Sequence, residues 1–221
     1  MLPARLLGNS PLPNGWRLLR AGAQELAEAA RPGQLLRLRA ENGDYLLPVS
    51  HASIREGWLA ALAPPDRGAE ALALHAPVQL ALEGNGWVLD ATPPPVVIGS
   101  GSGLGAALFL AGQLNPPPRL VIVGGDYPPP FRPVPSTFMT TGLPPHVIGA
   151  APALEAAGIV SRVASIDDLP GCFDGTPAEL LALWLAANGT APVLACAPAA
   201  ELEAIANQVS PALLQGIPAP I

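Results

Sequence analysis

The 221-residue sequence contains no lysine, and all 11 of its basic residues are arginine. A lysine Schiff base and a lysine-bearing phosphate loop are both excluded. Cysteine is almost as scarce. Cys172 and Cys196 are too few for a disulfide framework or for an iron–sulfur cluster, which takes four ligands, so no such cluster is expected. The three histidines, His51, His75 and His146, have no carboxylate or cysteine neighbours at ligand spacing, and no metal site is expected. No G-x-S-x-G elbow and no nucleophile–base pair is present, which removes hydrolase chemistry. The opening MLPARLLGNSPLPNGW has no continuous apolar run, so no signal peptide and a cytoplasmic location are expected. Ala91 to Pro118 carries no charge, but seven glycines and prolines between Pro93 and Gly105 argue against a membrane span.

What the sequence has in quantity is apolar residues, 50% against 13% charged, enough to bury a sizeable core in one large or two smaller domains. The net charge of -6 is unevenly spread. Up to Ala91 there are eight arginines against nine acids; from Thr92 onward there are three against eight. An acidic second half lacks the cationic face that nucleic acid requires, so no nucleic-acid partner is expected.

The stretch PPPVVIGSGSGLGAALFLAGQLNPPPRLVIVGGD, from Pro93 to Asp126, reads as strand, glycine-rich turn, helix and second strand. Gly99, Gly101, Gly103 and Gly105 alternate with small residues, and Gly101, Gly103 and Ala106 keep the G-x-G-x-x-G/A spacing of a dinucleotide turn. Such a turn lets the backbone approach a phosphate closely while the first helical N–H groups point at it, Ser102 among them. Asp126, at the end of the second strand, stands where a carboxylate meets a ribose 2′-hydroxyl and opposes a 2′-phosphate, which favours NADH. Tight packing of helix on strand is the other reading of the same glycines.

Before this stretch the chain is a series of short strands and tight turns. Gln34 to Ala40 and Tyr45 to Ser50 flank Asn42-Gly43, Trp58 to Leu62 follows Arg55-Glu56-Gly57, and Val78 to Leu82 and Trp87 to Leu89 flank Glu83 to Gly86. These predict an antiparallel β-barrel or sandwich over residues 1–92. After it, strands near 161–164 and 193–196 alternate with helices near 152–157, 176–187 and 200–209, predicting a parallel-sheet, Rossmann-like α/β domain over 93–221. The proline-rich loop from Asp126 to Pro145 is long enough to be a lid or a contact surface.

A barrel followed by a nucleotide-binding α/β domain resembles the ferredoxin–NADP reductase superfamily, and within it the electron-transfer subunit of dihydroorotate dehydrogenase and related flavin reductases. The likeness is carried by Arg31-Pro32-Gly33-Gln34, by Leu47-Pro48-Val49-Ser50 and by Glu83-Gly84-Asn85-Gly86-Trp87. It continues with Gly99-Ser100-Gly101-Ser102-Gly103 and Cys196-Ala197-Pro198. The resemblance implies FAD or FMN held at Pro48, Val49, Ser50 and Gly68, and NAD(P)H held at Gly99, Gly101, Ser102, Gly103, Asp126, Ala197 and Pro198. It places Cys196 near the transferred hydride; a buried strand-end thiol is the alternative. It further implies a protein electron-transfer partner. Three departures bear on this. Leu47 stands where the family has the arginine that clamps a flavin phosphate, Arg67-Gly68-Ala69 replaces a G-x-G-T loop, and Ala197 replaces a glycine. Three readings stay open: an oxidoreductase moving electrons from NAD(P)H through flavin to an acceptor, a non-catalytic scaffold or regulatory subunit that has lost flavin, or a module that keeps only the dinucleotide site and senses NADH.

Overall fold

In the computed structural model, which describes residues 1–65, 67–89 and 92–220, the first strands close into a six-stranded antiparallel barrel. They are β1 (Leu2–Pro11), β2 (Arg17–Gly22), β3 (Leu35–Ala40), β4 (Gly43–Ser53), β5 (Trp58–Ala63) and β6 (Pro77–Glu83), in the order β1-β2-β5-β4-β3-β6 with β6 returning to β1. A short helix, α1 (Gln24–Ala29), lies between β2 and β3. Alternation builds the core: Leu36 and Leu38 of β3, Tyr45, Leu47 and Val49 of β4, Leu59, Ala61 and Ala63 of β5, and Val78 and Leu80 of β6 pack together. The pairing of β4 with β5 slips by one residue between Val49 and His51, a bulge that leaves Ser50 out of the ladder.

The second part is a parallel six-stranded sheet in the order β12-β11-β8-β7-β13-β14. Its strands are β7 (Val96–Ser100), β8 (Leu120–Gly124), β11 (Ser161–Ser165), β12 (Phe173–Asp174), β13 (Val193–Ala197) and β14 (Leu214–Pro218). A two-stranded ribbon of β9 (Val134–Pro135) and β10 (Gly149–Ala150) stands beside it. Every residue of β7, β8, β11 and β13 is buried, as a parallel sheet covered on both faces requires. Val97, Val121, Val163 and Leu194 pack with α2 (Leu104–Ala111) and α3 (Pro152–Ala156) on one face. Val96, Ile98, Ile122 and Ala195 pack with α4 (Pro177–Asn188) and α5 (Ala199–Ala206) on the other.

The expectation of a barrel followed by a parallel-sheet domain therefore matches the architecture. Local differences have physical reasons. Trp87 to Leu89 forms no strand: Trp87 leaves the barrel and donates its indole N–H to the Gln215 carbonyl at 3.1 Å, so this segment spans from barrel to sheet edge. β14 goes beyond the sequence expectation, because Gly216 and Pro218 conceal an edge strand that pairs with β13 along its whole length. The boundary expected at 92/93 follows Asp90 and Ala91, which lie outside the described residues, as do Asp66 and Ile221.

Barrel and sheet meet along three contacts. The turn between β1 and β2 holds the start of the proline-rich loop: Trp16 Nε1 donates to Pro128 O at 2.8 Å and Asn14 Nδ2 to Pro129 O at 2.7 Å. The loop is thus a contact surface here. The Arg31–Gln34 and Glu83–Trp87 turns clasp one another through Trp87 N to Pro32 O and Gln34 Nε2 to Gly84 O, and rest on Ile217 of β14. The third contact is α2, which lies on β4 and β5.

Candidate functional site

The strand order reverses between β7 and β13, where successive connections leave in opposite directions, and in open α/β sheets the crevice beyond such a point is where ligands bind. A cavity of about 160 Å³ opens there. Gly101, Ser102, Asp126, Tyr127, Pro198 and Pro220 line it from the sheet side, and Pro64 and Arg67 from the barrel. Two of its walls follow from local backbone. Gly101, at φ +54°, carries the chain from β7 into a turn of 3-10 helix and then α2. Gly125 packs on the Gly101 amide; a Cβ there would lie 2.5 Å from that nitrogen.

Only part of the glycine-rich stretch faces the cavity. A Cβ on Gly99 would stand 2.5 Å from the Ala107 Cβ, and one on Gly103 would overlap the Cys196 carbonyl oxygen. These two glycines, with Gly105, let α2 lie close against its neighbours. The motif divides: Gly101 and Ser102 form a cavity wall, and Gly99, Gly103 and Gly105 serve packing. Ser102 is itself engaged, donating from Oγ to Pro220 O at 2.7 Å. The final residues reach it because Ala219 N donates to Ala197 O at 2.8 Å, extending the β13–β14 pairing across the crevice.

The rim is acidic. Asp126 is exposed at the end of the β8 turn, and Glu201, in the first turn of α5, accepts from Ala178 N at 2.8 Å. Burial, with Asp126 and Glu179 adding to it, raises the Glu201 carboxyl above its ordinary range against the lowering effect of that hydrogen bond. A further negative group beside Asp126 is electrostatically disfavoured. Arg67 is the cation lining the cavity among the described residues.

Of the residues expected to hold nucleotide, Gly101, Ser102, Asp126 and Pro198 meet at the cavity; Gly99, Gly103 and Ala197 are buried and do not line it. Cys196 is fully buried, and burial pushes its thiol up to about 12, so it remains a neutral thiol at physiological pH. Tyr127, held edge-on by Trp16 with ring centroids 6.1 Å apart, and Pro220 carried no motif that would have marked them. Arg67 was legible only as a cation near a glycine turn.

The residues assigned to flavin by resemblance do not converge on the cavity. Pro48 is buried, Val49 lies in the barrel core, and Gly68 turns the loop after β5 at φ +68° while its carbonyl accepts from the Tyr45 hydroxyl at 3.2 Å. Ser50 Oγ is buried and has no hydrogen-bond partner, but α2 stands directly over it. Leu47 points into the barrel interior at 2% exposure, so the missing guanidinium is replaced by core packing. These residues do not fit a flavin between barrel and sheet.

No protein-family model and no curated protein matches the chain. Solved structures do. A ferredoxin reductase of carbazole 1,9a-dioxygenase superposes with a TM-score of 0.71 at 15% identity, over 98% of this chain and 68% of that one. A ferredoxin NADP+ reductase from Neisseria gonorrhoeae, with bound FAD and NADP, gives 0.67 at 12% identity over 98% of each chain. The FAD/NAD-binding domain of nitric oxide dioxygenase from Vibrio cholerae gives 0.67 at 14% identity, over 98% of this chain and 97% of that one. The chain has the ferredoxin–NADP reductase fold. In this reductase fold the barrel leads, the parallel sheet follows, and the cavity at the strand reversal lies between them. Among the described residues no helix is long and apolar enough to cross a membrane, and no three His, Cys, Asp or Glu side chains gather as a metal site would need.

Proposed function

We propose that this protein is a ferredoxin reductase-like module that binds NAD(P)H, NADH by preference, in the crevice over Gly101 and Ser102 and presents it to a protein electron-transfer partner that carries the hydride-accepting centre. The cavity at the strand reversal carries this reading, because the fold concentrates there a glycine turn, the start of α2 and an acidic residue at the end of the neighbouring strand. Its volume of about 160 Å³ is below the roughly 300–1,000 Å³ of small-molecule sites, so it takes one end of a dinucleotide and leaves the other on the open rim. Asp126 and Glu201 select against a 2′-phosphate. Arg67 brings the barrel into contact with whatever binds.

Titration with NADH and NADPH, followed by nucleotide fluorescence, tests the reading. The expected outcome is binding of NADH at least tenfold tighter than NADPH, with the preference narrowed in Asp126→Asn. Gly101→Val, which puts a branched side chain at a positive φ in the cavity wall, abolishes binding in a folded protein. Gly103→Val is not a suitable probe, since its side chain would collide with β13 whether or not nucleotide binds.

A second reading, a regulatory or scaffold subunit without catalysis, is favoured by one observation. The Ser102 hydroxyl is taken up by the chain's own Pro220 carbonyl, so the nucleotide side of the turn is covered. Absence of any nucleotide binding in the same titration supports this alternative.

A further inference from the structure

The seam between barrel and sheet is closed at the point where Ser50 meets α2. A Cβ added to Gly105 would stand 2.9 Å from the Ser50 Cβ and 3.6 Å from the Leu62 Cβ, so the helix backbone rests on the outer face of β4 and β5 with no gap. One turn further along, Phe109 is 6% exposed and joins the barrel's apolar cluster, its ring centroid 6.3 Å from that of His51 on β4. Leu62, facing outward from β5, packs in turn with Leu104 and the sheet. The Ser50 bulge presents a hydroxyl to this seam, yet the hydroxyl is buried and unpartnered. An aromatic ring slotted over Ser50 needs about 3.5 to 4 Å of clearance to the atoms on each side of it. Gly105 leaves none.

We propose that α2 fills the place between barrel and sheet that the resemblance assigns to flavin, making this seam a permanent joint at which neither FAD nor FMN is held. Three features act together: an apolar residue at Leu47 turned into the core, a glycine at position 105 that admits the helix, and Phe109 anchoring it to the barrel. The inference is independent of nucleotide binding, since the cavity lined by Gly101 and Arg67 does not include Ser50 or Gly105.

The test has two arms. The purified protein is incubated with FAD and separately with FMN, desalted, and scanned for flavin absorbance; no flavin bands are expected, and retention approaching one flavin per chain overturns the proposal. In the second arm Gly105→Ala is made in the native and Ser50→Gly backgrounds and thermal midpoints are measured. Gly105→Ala is expected to lower the midpoint by several degrees in the native background and clearly less where Ser50 has lost its Cβ. An equal loss in both backgrounds, or none in either, means that the helix is not seated on Ser50 and overturns the joint. NADH titration of the same samples reports on the crevice separately.

Discussion

At the scale of single residues, the two thiols illustrate how burial sets chemistry. Burial alone raises Cys172 to about 11 and Cys196 to about 12 from an ordinary 9.0. The folded state therefore prefers the protonated thiol more strongly than the unfolded chain does. Their contribution to stability is fully present below about pH 9 and is lost as pH rises through about 11 and then about 12. Denaturant midpoints measured from pH 8 to pH 11 should fall accordingly, and in Cys172→Ala/Cys196→Ala the fall should be shallower. At pH 8 a thiol reagent should label neither residue quickly in the folded protein and both after denaturation. Rapid native labelling of Cys196 would place it at an open surface and contradict its burial.

At the scale of elements, α4 shows a local signal that survives intact. Thr176 Oγ1 accepts from Glu179 N at 3.2 Å, and Glu179 Oε2 accepts from Thr176 N at 2.8 Å, a reciprocal capping box with Pro177 opening the helix. Thr176→Ala should cost about 1 kcal/mol in denaturant unfolding. Glu179→Ala added to it should cost less than it does alone, because each residue completes the other's cap. Glu201 enters the same helix start through Ala178 N, so α4 and α5 are tied at the end of the sheet that bears the acidic rim. By contrast α2 has no side-chain cap and is buried on nearly all sides. Its stability comes from being enclosed between sheet and barrel rather than from its ends.

At the scale of the molecule, barrel and sheet are joined by α2 on β4 and β5, by Trp16 and Asn14 on the proline-rich loop, and by Trp87 on β14. Trp16 and Trp87 are 1% and 5% exposed, so separating the two parts exposes large aromatic surfaces. The prediction is a single cooperative transition, in which calorimetric and van't Hoff enthalpies agree and indole fluorescence and far-UV dichroism change together. Two resolved transitions would mean that the contacts are individually too weak to couple the domains.

Much of this could be read from one chain. The alternation in β3 to β6, the Asn42-Gly43 turn and the continuous apolar runs at β7, β8 and β13 identified a barrel and then a parallel sheet, because side-chain period follows from which faces are buried. The Gly101–Ser102 turn and Asp126 were legible for the same reason: small residues and a terminal carboxylate have few local uses. Distance along the chain hid the remainder. Whether Leu47 faces core or cleft depends on closure of the barrel, and whether Gly105 serves a ligand or a neighbour depends on Ser50, 55 positions away. β14 and the Pro220 carbonyl acquire roles only beside β13 and Ser102. Sequence alone thus determined the two architectures and one wall of the crevice. Only the tertiary structure decided what lies between them, since a close approach between distant segments is a property of their packing and of neither segment by itself.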